Sequence, residues 1–132
     1  MLEYIIFVIY SIYFQEDEKG SFDEIKIYEE NDEYLIDRYT ITEEQLRYTM
    51  SPKASIELVK QDKDRHAVLV FDEDKLVTFF VLHENDGVKP YSSNEQSILI
   101  RAFSTDFYEQ GKGYAKTATA FAGLCFGAFS EY

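Results

Sequence analysis

The chain has 132 residues, the size of one domain that can bury its own core without disulfides or metal, and its 45% hydrophobic and 17% aromatic content excludes a disordered segment. Twenty-five acids against thirteen bases give a net charge of −12, which repels nucleic-acid phosphates and anionic lipid, so no nucleic-acid or membrane partner is expected. One cysteine, Cys125, flanked by Leu124 and Phe126, suits a buried thiol in a cytoplasmic protein, and with two histidines at unrelated spacings it makes no tetrahedral zinc pattern.

The first segment, residues 4–14, is almost wholly apolar and rich in Ile, Val, Tyr and Phe. It is too short to span a bilayer and has no basic residues ahead of it, so it is expected as a buried strand or an interface element within an N-terminal extension, 1–20. A charged turn leads to a second strand over 24–28, where Ile25 and Ile27 alternate with charge, and the acid-rich stretch 29–33 is expected as a solvated connection. Thr42-Glu43-Glu44-Gln45 has the form of a capping box and predicts a short helix through Leu46 and Tyr48. Ser51-Pro52 comes next as an N-cap and a first-turn proline, with Ile56 and Val59 on the apolar stripe of the next helix. Residues 67–71 and 76–82 are apolar and branched and are joined by Asp72-Glu73-Asp74-Lys75, which predicts an antiparallel hairpin. A loop over 84–94 then precedes a further strand over 97–103.

After that strand comes Gln110-Gly111-Lys112-Gly113-Tyr114-Ala115, leading into an alanine-rich segment expected to be helical from about residue 112. Glycines between a strand and a helix uncover backbone N–H groups at a helix N-terminus, where the macrodipole also favours an anion. From residue 110 onward the ionised side chains are Lys112, Lys116 and Glu131, a net of +1, so residues 1–109 carry −13 and the proposed anion site lies where the acidity stops. A Walker-type phosphate loop is excluded because the earlier glycine and the Ser/Thr are missing, and the dinucleotide fingerprint is excluded because its third glycine is missing and the preceding strands form a meander.

These six residues fit the Gln/Arg-x-x-Gly-x-Gly/Ala signature for coenzyme A at every fixed position, and residues 98–104 and 77–84 resemble the strands that precede it in the GNAT superfamily of N-acetyltransferases. The resemblance covers roughly 24–118. It implies a single α+β domain over 1–132, with a mixed, mostly antiparallel twisted sheet and helices on both faces. It also implies a reaction in which an acyl group, acetyl in the first instance, passes from acetyl-CoA to a small-molecule or peptide amine by direct attack in a ternary complex. Main-chain groups of Ala102, Phe103 and Ser104 would then pair with the pantetheine arm. Gln110 would open the turn, and the amides from Gly111 through Lys112, Gly113 and Tyr114 to Ala115 would surround the pyrophosphate, with Lys112 touching phosphate.

The resemblance ends at the tail, 119–132, which is rich in Phe, Ala and Gly where the family adds a fifth strand and further elements. With no family tyrosine to match, the catalytic residues stay unassigned, and Glu84 and Glu95 are weak candidates for the base. His83 and Arg101 keep open roles, the guanidinium needing solvent, a carboxylate or the cofactor. A missing fifth strand would expose a sheet edge that 4–14 or 121–129 could cover, in its own subunit or exchanged with a twin, and a homodimer or larger assembly that buries these apolar ends is expected. Two rival readings are a non-catalytic or incomplete acyl-CoA-binding domain and an oligomerising interaction protein.

Overall fold

The computed structural model describes residues 24–84 and 99–112, together with the backbone of 129–131. Expectations for 4–14, the loop from residue 85, Glu95, the helix after Lys112, and Gly113, Tyr114, Ala115 and Lys116 lie outside the described residues. Five strands form one sheet in chain order: β1 (Glu24–Ile27), β2 (Arg65–Asp72), β3 (Lys75–His83), β4 (Leu99–Thr105) and β5 (Phe129–Glu131). The first four pair antiparallel and β5 pairs parallel to β4, which is the mixed sheet that the sequence predicts.

The β2–β3 hairpin is the centre of the fold. Asp72 pairs with Lys75, so Glu73 and Asp74 make the turn, and Glu73 takes the left-handed φ of 57° that such a tight connection requires. Alternation along the two strands sorts their side chains onto two faces. Ala67, Leu69, Phe71, Phe79 and Val81 join Ile36 and Ile56 in one core cluster, while Val68, Val70, Phe80 and Leu82 point to the opposite face and are just as completely buried. A sheet buried on both faces explains why β3 reads as a continuous apolar run rather than an alternating one.

The first face is covered by α1 (Glu33–Arg38) and α2 (Pro52–Gln61). Helix α2 starts as its sequence predicts: Ser51 is the N-cap, its Oγ accepts from the Ala54 amide at 3.2 Å, and Pro52 occupies the first turn. The box at Thr42 also forms, with the Thr42 amide donating to Gln45 Oε1 at 2.9 Å and the Gln45 amide to Thr42 Oγ1 at 3.2 Å. It opens a single 3-10 turn, Gln45–Arg47, rather than a helix through Tyr48.

Residues 29–33 are solvent-exposed as expected except at Asp32, but they are more than a plain connection. They form a 3-10 turn, Glu30–Asp32, that runs into α1. Asp32 is buried because its carboxylate accepts from the Glu29 amide at 2.9 Å and pairs with Lys26 Nζ at 3.0 Å, so both the charge and the free amide at the helix start find partners.

The tail departs from the sequence expectation of a missing fifth strand. Leu99, Ile100 and Arg101 pair with Phe129, Ser130 and Glu131, so a short strand covers the first half of the β4 edge from within the same chain.

Candidate functional site

The site is built on an irregularity in β4. Phe79 pairs with Ser104 and Val81 with Arg101, so the single residue Phe80 lies opposite two, Ala102 and Phe103. This is a β-bulge, and it forces Ala102 to a φ of 54°, a conformation that non-glycine residues rarely adopt. Phe103 stacks on Phe80 with ring centroids 5.5 Å apart, which holds the bulge in register on the other face. Among the described residues, β5 pairs with β4 up to Arg101, next to the bulge. Ala102, Phe103 and Ser104, which the sequence singles out, therefore lie at and just after the bulge of β4.

Beyond the bulge the chain is held firmly. Tyr39 Oη and Ser104 Oγ share a hydrogen bond of 2.8 Å, and burial pushes the Tyr39 phenol far above its ordinary pKa, so it keeps its proton. Gln45 Nε2 donates to the Thr105 carbonyl at 2.9 Å. The buried Asp106 accepts from the amides of Thr40 and Tyr108, both at 2.9 Å, and its own amide donates to Val77. These contacts fix a 3-10 turn, Phe107–Glu109, and deliver the chain to the glycine turn.

Gly111 has a φ of +82°, and nothing lies within 4 Å of where a Cβ would stand. The turn thus needs glycine for its backbone conformation, and the space beside it is open to an approaching group. This suits the phosphate end of a coenzyme. Lys112 is engaged by protein: its Nζ meets Glu109 Oε1 at 2.8 Å while Lys75 Nζ meets Glu109 Oε2 at 2.7 Å. Held between two ammonium groups, Lys112 first and Lys75 second, the Glu109 carboxyl stays below the usual carboxylate range.

On the opposite side of the bulge a cavity of about 360 Å3 opens between β4, α2 and the segment 46–50. Arg101 and Ala102 form its floor, with Arg47, Tyr48, Arg65 and Val81 among its walls. Thr49 also lines it and carries a buried hydroxyl without a hydrogen-bond partner among the described residues. Beside this cavity, Arg101 Nε donates to His83 Nδ1 at 2.9 Å, which is an acceptor that the sequence did not foresee for this guanidinium. Nδ1 therefore carries no proton, and the neutral ring places its Nε2 3.3 Å from Asp62 Oδ2, which also lies 3.4 Å from Arg65 Nε. Burial, followed by the charges of Arg65 and Arg101, lowers the His83 pKa, so the ring stays neutral at pH 7.

Glu84 is not in the wall of this cavity; its Oε2 pairs with His66 Nε2 at 2.8 Å, at the end of β3. A second cleft, of about 480 Å3, lies at the tip of the β2–β3 hairpin, where Asp72, Glu73, Asp74 and Asp106 outnumber Arg38 and Lys75 and leave the lining acidic on balance. The arginine cavity was not legible in the sequence, because Arg47, Arg65 and Arg101 come from three distant segments and no spacing links them.

The fold is similar to that of a solved GNAT family acetyltransferase. The structure matches a GNAT family acetyltransferase from Staphylococcus aureus subsp. aureus USA300_TCH1516 with a TM-score of 0.55 and 19% identity, over 81% of this chain and 83% of that one. In sequence, 81 residues are 33% identical to an uncharacterized N-acetyltransferase, YbbJ, of Bacillus subtilis (strain 168). That alignment takes in 61% of this chain and 51% of the relative, so the chain spans about half the length of the curated relative it matches. No family model matches the chain. The resemblance to the GNAT superfamily that the residues carry is thus supported independently by a relative and by the fold.

Proposed function

We propose that this chain binds an acyl-CoA, acetyl-CoA in the first instance, along the β4 bulge and the glycine turn, and that it transfers the acyl group to an amine. The observation that carries the reading is the bulge itself. β4 is interrupted by a bulge at Ala102, next to the last described pair with β5, and runs on to a glycine turn with open space beside it. Those are the two places where a thioester arm and a pyrophosphate would need backbone amides.

Ala102, Phe103 and Ser104 would hold the arm, and Gln110 with the amides from Gly111 and Lys112 on through Gly113, Tyr114 and Ala115 would hold the phosphates. The acyl-CoA supplies an activated carbonyl. Amides fixed by the bulge are aimed where negative charge grows on the carbonyl oxygen, and because they are preorganised they need little rearrangement as it develops. The cavity beside Ala102 would bring the amine within reach of that carbonyl. As the new C–N bond forms, the amine proton passes to water, directly or on its way to Glu84 or Glu95, the two carboxylates that the sequence offers as candidates. The C–S bond then breaks and the coenzyme leaves as a thiolate that takes up a proton from water.

The test is thiol release from acetyl-CoA over a panel of amines. Turnover that depends on both the amine and the protein supports the transferase. Saturable coenzyme binding without turnover on any amine would instead favour the non-catalytic binding domain.

A further inference from the structure

Resting on that reading, we propose that the amine acceptor is a small molecule that carries a carboxylate, held by the arginines of the cavity beside Ala102. The chain contains four arginines, Arg38, Arg47, Arg65 and Arg101, and three of them line this one cavity. Among the described residues, no Asp or Glu lines it, although the chain as a whole carries −12. A concentration of guanidinium groups against the overall charge is unfavourable unless an anion offsets it, and a pocket lined by one sign of charge focuses the field at its mouth.

Two of these arginines are anchored by Nε, Arg65 on Asp62 and Arg101 on His83, which sets the plane in which each guanidinium lies. Planar, fixed guanidinium groups match the planar fork of a carboxylate better than a flexible ammonium does. Asp62 offsets the charge of Arg65, so the positive excess of this wall is carried above all by Arg47. Arg47, exposed at the rim, has no ion pair among the described residues. The volume of about 360 Å3 lies at the small end of ligand cavities, which fits an amino acid better than a long peptide. Leu46, Tyr48 and Met50 are exposed apolar groups on the same wall and provide contact for the rest of the acceptor.

The experiment measures acceptor KM by thiol release, and acceptor Kd by isothermal titration in the presence of coenzyme A, for α-amino acids paired with their α-carboxamides. The acids are expected to bind at least about tenfold more tightly than the carboxamides. Arg47→Gln should remove about that factor for the acids and leave the carboxamides and coenzyme A unchanged, and Arg47→Lys should recover part of it. Equal affinity for acid and carboxamide, an Arg47→Gln effect shared equally by both, or no binding by any of the acids would overturn the proposal. Coenzyme binding, measured in the same titrations, separates this from the broader reading: retained coenzyme binding means that only the acceptor class is wrong, and lost coenzyme binding means that the transferase assignment fails as well.

Discussion

At the scale of single residues, the backbone makes the most specific demands. Gly111 sits at a φ of +82° with open space around it, so Gly111→Ala is expected to cost about 1 kcal/mol through conformation alone, with no clash to relieve. Urea denaturation checks this, and an unchanged midpoint would show that the turn relaxes. His83 offers a pH test. Its folded pKa lies below 6.5, so the unfolded chain binds more protons in the window between the two values. Stability should therefore fall as pH drops through 6.5 and be fully regained above it. Proton NMR of the ring should show a midpoint below 6.5, and a midpoint above it would contradict the buried Arg101–His83 contact. At this scale the sequence was partly legible. Gln110 and Gly111 stand out because the turn is contiguous, whereas the arginine cavity and the Tyr39–Ser104 bond join residues that only folding brings together.

At the scale of elements, the helix starts and the hairpin were legible because each is specified locally. Ser51 and Pro52 define the start of α2, and Ser51→Ala is expected to lower stability by about 1 kcal/mol, measurable as a shift in the denaturation midpoint with an unchanged slope. Helix α1 was not legible. Six residues, Glu33–Arg38, are too few to show a helical period, and its acidic neighbourhood suggests solvent unless the pairing of Asp32 with Lys26 is known. Strand β5 was hidden for a similar reason: three residues in a Phe-rich tail carry no alternation, and parallel pairing with β4 depends on contacts distant in sequence. The clasp around Glu109 ties the hairpin tip to the glycine turn through Lys75 and Lys112. Glu109→Gln should cost about 1 kcal/mol in stability at neutral pH, since both lysines are half exposed and screened. That difference should shrink in acid as the wild-type carboxylate is protonated below its unfolded pKa.

At the scale of the whole molecule, the sheet order arises from the meander of β2, β3 and β4, and the bulge of β4 lies beside the arginine-lined cavity. The expectation of an assembly rested on an uncovered β4 edge, and over Leu99–Arg101 that premise no longer holds, since β5 covers it within one chain. Association thus stands as a separate proposal, which sedimentation equilibrium at micromolar concentration tests: a species heavier than 15.5 kDa supports it and the monomer alone opposes it. The central claim is that the bulge and the glycine turn hold an acyl-CoA, and isothermal titration of coenzyme A into the parent chain and Gly113→Val tests it most directly. Saturable binding by the parent, weakened more than about tenfold by a β-branched side chain at the turn, is the expected result. No binding by the parent, or affinities within about a factor of two of each other, would contradict it.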